Sequence, residues 1–227
     1  MTLDSRSPMD TPDLTDRVVV VTGASGRLGR EVVGQLAAAG AHVAALDLET
    51  GDAGPFSVSA DATDPASLRA ALDAVEAELG PPDGLVHTVG MWAGEPFAET
   101  DLEVWETVVR VNLTTTFLAF REAARRMDRG RLVAIASEQG ADRGVARQAA
   151  YSAAKAGVVR LVEAVAAEYD GRITAAAVAP STILFGDEGA GAAGVPVESV
   201  AAWCVRLCGP EADARNGEVV RAYGSAG

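Results

Sequence analysis

Runs of apolar residues alternate along the chain with stripes of apolar residues at helical spacing. The run at residues 17–22 contains four consecutive valines, which is typical of a strand buried on both faces of a parallel sheet. Between the runs, stripes such as Leu68, Leu72 and Val75 recur as on the buried face of a helix. The pattern predicts an α/β protein with a doubly wound parallel sheet in a three-layer αβα arrangement. The predicted strands occupy residues 17–22, 42–47, 56–60, 85–89, 131–136, 173–179 and 218–223.

Capping patterns predict where several helices begin and end. Asp64, followed by proline, provides an N-cap, and Gly80 ends the same helix. Thr100 and Glu103 form a capping box that predicts a helix start at Thr100. We expect Trp105 to lie on the inward face of that helix. Further helices are predicted over residues 28–39, 151–171 and 196–207.

Length and charge restrict the class of protein. The chain has 227 residues, which suits a single domain at residues 16–227 after a flexible tail at residues 1–15. The tail contains no apolar run, so we expect neither a signal peptide nor a membrane span, and we expect a cytoplasmic protein. The net charge of -13 argues against nucleic acid and against anionic membranes as partners.

The two cysteines, Cys204 and Cys208, are too few for a disulfide framework. They also sit too rigidly on one predicted helix to bridge well. No cluster of histidine and acidic residues completes a ligand set with them, so no metal site is expected. We expect both cysteines to be reduced residues of the core or of an interface.

A glycine-rich turn joins the first predicted strand to the first predicted helix. Glycines permit close backbone approach, and a helix N-terminus offers free N–H groups and a positive dipole end to a pyrophosphate. A glycine triplet alone is a weak signal, but here it stands between a strand and a helix, as a dinucleotide site requires. The candidate cofactor-binding residues of the turn are Gly23, Ser25, Gly26, Arg27, Leu28 and Gly29.

An acidic residue, Asp47, ends the second predicted strand, eighteen residues beyond Gly29. A carboxylate there accepts hydrogen bonds from the adenosine ribose and repels a 2′-phosphate, which favours NAD. Arg27 favours NADP instead, because a guanidinium in the glycine-rich turn could hold its 2′-phosphate. Asp47 could instead only start a turn. Asp61, beside Ala62, could cap a loop or contact the adenine.

Several residues follow the carboxyl ends of predicted strands, where ligands lie in open α/β sheets. Gly90, Ser137, Pro180 and Thr182 should therefore border one crevice. Ser137 could instead be only a turn residue.

Polar side chains fall on two inward helical stripes. Tyr151 and Lys155 lie one turn apart on a stripe that continues into Val158, and Asn112 lies on the stripe of the preceding helix. A buried amide must be hydrogen-bonded, and a buried phenol and ammonium indicate a perturbed titratable pair. The alternatives are a structural asparagine at a helix irregularity, and a tyrosine and lysine that reach outward at a helix start.

From about Arg17 to Gly224 the chain resembles the short-chain dehydrogenase/reductase family, a Rossmann-like group that moves hydride between a nicotinamide and an alcohol or carbonyl. The resemblance implies that Asn112, Ser137, Tyr151 and Lys155 form the catalytic set. It also implies that Lys155 binds the nicotinamide ribose beside Tyr151, and that Asn112 positions a water in a proton relay. The residues that carry it are Thr22, Gly23, Gly26, Gly29, Asp47, Asp61, Gly90, Asn112, Ser137, Tyr151, Lys155 and Pro180.

The chain departs from the family pattern in three places. Arg27 stands where the family has the middle glycine of its turn. The sequence His87-Thr88-Val89-Gly90 replaces an Asn-Asn-Ala-Gly motif, so the hydrogen bonds at that strand end must be remade. The interval from Ser137 to Tyr151 is fourteen residues, one more than in many members, which predicts a one-residue insertion in the loop between them.

The resemblance implies an NAD(P)-dependent oxidoreductase that acts on a carbonyl or alcohol. The position of Asp47 favours NAD over NADP, and the apolar residues expected around the substrate indicate a small, largely apolar molecule. Tyr151 would be the acid in reduction and the base in oxidation, with Ser137 holding the substrate oxygen. Met91, Trp92, Phe97 and the loop at residues 181–194 should surround that substrate, and residues 185–194 of this loop are rich in glycine and alanine, as expected of a mobile lid.

Further polar contacts to the substrate could come from His87 and Glu138, although a structural histidine and a solvated glutamate are the simpler interpretations. Family members usually form homodimers or homotetramers, which we expect here as well. Two alternatives stay open: a family relative that catalyses a dehydration or cyclisation, and a dinucleotide-binding regulator without catalytic activity.

Overall fold

The computed structural model describes residues 11–51, 53–188 and 192–224. Within these residues, seven parallel strands form one sheet in the order β3-β2-β1-β4-β5-β6-β9, and β7 and β8 form a separate pair. The strand order reverses between β1 and β4, which opens a crevice at the carboxyl edge of the sheet. The strands are β1 (Val18–Thr22), β2 (His42–Asp47), β3 (Phe56–Ser59), β4 (Gly84–His87), β5 (Gly130–Ile135), β6 (Ile173–Pro180), β7 (Ile183–Leu184), β8 (Val195–Pro196) and β9 (Val219–Ala222).

Helices cover both faces of this sheet, as the alternating sequence pattern predicts. Helices α1 and α7 pack on one face, and α2, α4 and α6 pack on the other. The three-layer, doubly wound, single-domain fold is therefore confirmed. The helices are α1 (Arg27–Ala38), α2 (Pro65–Leu79), α3 (Leu102–Val109), α4 (Thr115–Ala124), α5 (Glu138–Ala141), α6 (Ala149–Tyr169) and α7 (Val197–Cys208).

The four valines of β1 show why a continuous apolar run marks a central strand. Val19 and Val21 belong to the cluster with α1 and α7, whereas Val18 and Val20 belong to the cluster on the opposite face. Each valine is at most 5% exposed, and burial of such a side chain stabilises the fold by roughly 1.5 kcal/mol or more. Cys204 and Cys208 are free thiols buried in the first of these clusters, as expected for core residues.

The helix predicted to start at Thr100 begins later and is interrupted. The capping-box prediction is wrong, because α3 starts at Leu102 and the Thr100 hydroxyl donates to the carbonyl of Pro96 at 3.1 Å. Trp105 is 39% exposed, so its predicted inward placement is also wrong. A π-helical turn at Arg110–Thr114 separates α3 from α4. It adds a residue to the helical period, which a stripe extrapolated at 3.6 residues per turn cannot anticipate.

Other helix boundaries agree with the sequence. The Asp64 carboxylate accepts a hydrogen bond from the Ala66 amide at 2.9 Å, which caps α2. The amide of Gly80 donates to the Glu76 carbonyl at the other end of the same helix. Among the described residues, no helix is long and apolar enough to span a lipid bilayer.

Two segments predicted to be flexible fall partly outside the described residues, namely residues 1–10 of the tail and 189–191 of the lid. In the described part of the tail, Leu14 is 2% exposed and its amide donates to the carbonyl of Ala39 at 2.9 Å. The packed part of the chain therefore starts no later than Leu14, slightly before the predicted boundary.

Candidate active site

The turn between β1 and α1 brings the backbone close enough to form a cradle. Gly23 has φ of +76°, and a Cβ at Gly29 would lie 2.0 Å from the Gly23 carbonyl oxygen, so neither position accepts a side chain without a shift. Gly26 occupies the N-cap of α1, where the described chain supplies no side-chain hydrogen bond to the first turn. The N–H groups of that turn are therefore available to an anionic ligand.

A cleft of about 140 Å³ opens beside the cradle at the ends of β1, β2 and β4. Asp47 lies on its wall, with one carboxylate oxygen 2.8 Å from the Ser25 amide and the other 2.8 Å from the Leu48 amide. Asp61 instead caps its own turn, because its carboxylate accepts from the amide and the hydroxyl of Thr63, both at 2.8 Å. The lining residues are Thr22, Gly23, Leu46, Asp47, Leu48, Ala60, Asp61, Ala62, Thr63, Leu68, Val89 and Val111.

Arg27, the first residue of α1, does not line this cleft. Its Nη2 lies 2.8 Å from the Asp187 carboxylate, and its Cζ lies 3.9 Å from the centroid of the Phe185 ring. The guanidinium that sequence analysis weighed as a possible 2′-phosphate ligand is therefore engaged by the segment after β6.

Three candidate catalytic side chains converge at the carboxyl end of β5. Ser137 is 3% exposed and caps α5, accepting a hydrogen bond from the Gly140 amide at 3.2 Å. The Ser137 side chain also interacts with the Tyr151 phenol and lowers its pKa. Lys155, 4% exposed, donates from Nζ to the Ile135 carbonyl at 2.7 Å. The fourteen-residue interval is accommodated between α5 and α6, where Arg147 adopts φ of +66°.

Asn112 is fully buried in the π-helical turn. Its Nδ2 donates to the carbonyls of Met91 and Val108, both at 2.9 Å, and its Oδ1 accepts from the Met91 amide at 3.3 Å. The amide thus ties the loop after β4 to the irregular helix. A Cβ at Gly90 would lie 3.0 Å from Asn112 Oδ1 and 3.4 Å from Lys155 Nζ, so both atoms lie close to the Gly90 backbone.

His87, at the end of β4, is 1% exposed and contacts two hydroxyl groups. Its Nδ1 lies 2.7 Å from Thr22 Oγ1, and its Nε2 lies 3.0 Å from Thr115 Oγ1. Since the Thr115 hydroxyl donates its only proton to the Val111 carbonyl at 2.6 Å, Nε2 must carry the imidazole proton and Nδ1 must accept. Both nitrogens are used, so His87 is a structural residue and not a substrate contact.

Burial controls the titration of the buried groups in this site. Burial raises the pKa of the Tyr151 phenol above its ordinary value, and the hydrogen bond with Ser137 offsets part of that rise. Burial lowers the pKa of Lys155 to about 8. Burial, followed by the charge of Lys155, lowers the pKa of His87 to about 3. In each case the low-polarity surroundings disfavour the charged form.

The remaining candidate residues lie around the crevice. Pro180 is the last residue of β6, and the Thr182 carbonyl accepts from the Val195 amide at 2.8 Å. Trp92 and Phe97, in the segment after β4, are 63% and 80% exposed. They therefore present open apolar surface rather than a closed pocket.

Thr88 and Thr115 also support the site, although the sequence predicted no individual role for either residue. The Thr88 hydroxyl donates to the carbonyls of Thr22 and Gly23 at 2.9 and 3.1 Å, which fixes the entry to the glycine-rich turn. Its place directly after β4, two residues before Gly90, was the available signal. Thr115 carried no such signal, because its importance depends on the π-helical turn that precedes it.

Comparisons with known proteins agree with this architecture. A model of the short chain dehydrogenase family matches residues 17–186. The chain is 34% identical over 187 residues to D-threitol dehydrogenase from Mycolicibacterium smegmatis, covering 75% of this chain and 72% of that protein. It is 36% identical over 177 residues to 3-oxoacyl-(acyl-carrier-protein) reductase MabA from Mycobacterium tuberculosis, covering 76% and 71%. A solved short chain dehydrogenase from Mycobacterium smegmatis is 27% identical, with a TM-score of 0.85 over 99% of each chain.

The chain therefore belongs to the short-chain dehydrogenase/reductase family, and the resemblance predicted from its motifs is confirmed. The curated relatives named above are dehydrogenases or reductases, which supports an oxidoreductase.

Proposed function

We propose that the protein is an NAD-dependent dehydrogenase or reductase acting on the carbonyl or alcohol of a small, largely apolar molecule. The observation that carries this proposal is the convergence of Ser137, Tyr151 and Lys155 at the carboxyl edge of the sheet, next to the cradle of α1. A proton donor, a hydrogen-bond donor and a cation at one site are the groups that stabilise negative charge developing on a carbonyl oxygen.

The residues of the crevice fit a dinucleotide. The uncapped first turn of α1 suits a pyrophosphate, and the cleft beside it has apolar walls that include Leu46 and Leu48. Asp47 favours NAD over NADP, because its carboxylate stands where a 2′-phosphate would add like charge. The pairing of Arg27 with Asp187 also supports NAD, since a guanidinium engaged by Asp187 is not free to bind a 2′-phosphate.

In the proposed reaction, a bound nicotinamide would accept or supply the hydride. Ser137 holds the substrate oxygen, and Tyr151 gives that oxygen a proton in reduction or takes it in oxidation. Lys155 Nζ lies 5.9 Å from the centroid of the Tyr151 ring, and a positive charge on this ammonium group favours the phenolate form of Tyr151. Asn112 Oδ1 and Lys155 Nζ both lie close to Gly90, and the relay water that carries the proton onward would bind to these two groups.

Replacement of one hydroxyl group tests the mechanism. Tyr151→Phe should lower kcat by about 100-fold or more while cofactor affinity changes little, because a general acid contributes at least that much to proton transfer. Tyr169→Phe, which removes a phenol at the far end of the same helix, should leave turnover unchanged. Turnover is measured from the absorbance of reduced nicotinamide during a screen of carbonyls and alcohols. Undiminished turnover in Tyr151→Phe would remove this residue from the mechanism.

The same screen separates the proposal from its two rivals. Cofactor binding without redox turnover on any substrate would favour a non-redox enzyme or a regulator, and product analysis would then distinguish those two. A thermal-shift comparison of NAD with NADP tests the cofactor preference directly. A larger shift with NADP would overturn the role given to Asp47.

A further inference from the structure

Arg27 connects two segments that are distant in sequence and meet across the crevice. The glycine-rich turn supplies the arginine, and the segment after β6 supplies Asp187 and Phe185. The guanidinium forms an ion pair with the carboxylate at 2.8 Å and stacks on the aromatic ring at 3.9 Å. An arginine held by both an acid and an aromatic face is fixed in geometry as well as in charge.

The segment at residues 181–188, which we call the strap, is organised to present these two side chains. The Glu188 carboxylate accepts hydrogen bonds from the amides of Phe185 and Gly186 at 2.9 to 3.0 Å. At its base, the strap contains β7, which pairs with β8. The strap is therefore anchored at its base by backbone pairing and near its far end by Arg27.

The strand order determines what the strap must cross. The strap leaves the end of β6, whereas Arg27 lies at the end of β1, and the sheet order places β4 and β5 between them. Three strand spacings amount to about 14 Å. Ser137 follows β5 and Gly90 follows β4, so the contact with Arg27 closes the strap over the crevice that holds the candidate active site.

We propose that Arg27 is a latch residue: its contacts with Asp187 and Phe185 hold the strap closed over a bound dinucleotide and slow the release of that cofactor. Arg27 thus acts through the strap, not as a direct ligand of a cofactor phosphate. This inference rests on the proposed function, because it requires a dinucleotide in the crevice.

The latch can be tested first in the protein without cofactor. Arg27→Gln and Asp187→Asn each break the ion pair, so hydrogen exchange at the Phe185 and Gly186 amides should rise about three- to tenfold in both variants, as expected for loss of an exposed ion pair. Arg30→Gln removes the same charge from the exposed side of the same helix and should leave the exchange unchanged. Equal exchange in all four proteins would overturn the latch.

The effect on the cofactor is measured by stopped-flow displacement of NADH. Arg27→Gln and Asp187→Asn should each release NADH about three- to tenfold faster, and the double variant should match Arg27→Gln, because the ion pair that Asp187→Asn breaks is already lost there. Weaker binding in Arg27→Gln with tighter binding in Asp187→Asn would overturn the proposal, since it would show that Arg27 holds a phosphate and competes with Asp187. If the unaltered protein binds no dinucleotide, the proposed function and the role in release both fail, while the exchange data still decide whether Arg27 holds the strap.

Discussion

Lys155 and Tyr151 share one buried site, and burial shifts their pKa values in opposite directions. The pKa of Lys155 falls to about 8, whereas that of Tyr151 rises above its ordinary value. As pH increases, Lys155 therefore loses its proton before Tyr151 does. The pair alone cannot supply a phenolate near neutral pH, so an additional positive charge is required, and an oxidised nicotinamide would provide it.

This order of deprotonation predicts the titration of Tyr151. In the cofactor-free protein, the pKa of Tyr151 should lie above its ordinary value of 10.0, and saturation with oxidised NAD should lower it, because a nearby cation favours the phenolate. The measurement is the ultraviolet difference between the protein and Tyr151→Phe as pH is raised. Ionisation of Tyr151 near pH 8 without cofactor would show that Lys155 alone activates it.

His87 makes a separate contribution to the stability of the fold, and this contribution depends on pH. Its pKa is about 3 in the fold and 6.5 in the unfolded chain, so between these values the unfolded chain binds a proton that the folded protein does not. The free energy of unfolding should therefore fall as pH decreases through this range and be retained above pH 6.5. Between pH 7 and pH 5 the loss attributable to His87 should be about 2 kcal/mol.

The variant His87→Gln keeps a donor and an acceptor at this position but does not titrate. Chemical denaturation of both proteins at several pH values isolates the contribution, because the acidic residues common to both cancel in the difference. Parallel pH profiles for the two proteins would contradict the neutral, doubly hydrogen-bonded state of His87.

At the scale of elements, the position of Lys155 depends on how closely α5 packs against α6. A Cβ at Gly140 would lie 2.4 Å from the Lys155 carbonyl carbon and 2.6 Å from its Cβ. We expect Gly140→Ala to destabilise the fold by about 1 to 3 kcal/mol, as overpacking usually does, and to lower kcat about tenfold or more by displacing Lys155. Both effects are measured by denaturation and steady-state kinetics.

The loop that follows α5 offers a matched control for this prediction. At Gly144 the nearest atoms to an added Cβ, those of Ser152, lie 3.9 Å away. Gly144→Ala should therefore keep wild-type stability and turnover. Equal effects of the two substitutions would show that the close contact between α5 and α6 is not what positions Lys155.

The elements that the sequence predicts correctly are those whose cause is local. A few neighbouring residues were enough to predict three features: the valine run of β1, the cap at Asp64 and the glycine-rich turn. Thr100 and Glu103 matched a local capping pattern, yet the Thr100 hydroxyl donates its hydrogen bond to the Pro96 carbonyl instead, and α3 starts at Leu102. The remaining features depend on distant partners: Arg27 meets Asp187, and His87 bridges Thr22 and Thr115, so no local pattern could predict those contacts.

At the scale of the molecule, α4 and α6 leave an apolar groove on the surface. The groove has a volume of about 240 Å³, and Phe117 beside it is 43% exposed. Leu102 and Trp105 on α3 are also exposed, at 69% and 39%. Exposed apolar surface of this extent is typical of an interaction site, and a second copy of this chain is the occupant expected from the family resemblance.

We therefore predict a homodimer or homotetramer that uses the face formed by α4 and α6. Light scattering should give a mass of two or four times 23.2 kDa. Phe117→Glu should reduce that mass, because it introduces a charge that would have to be desolvated in the interface. Val145→Glu adds the same charge at a residue of similar exposure, 40%, on the loop after α5, and should leave the mass unchanged. A monomeric mass for the unaltered protein would contradict assembly through this face, and dissociation by both variants would place the contact elsewhere.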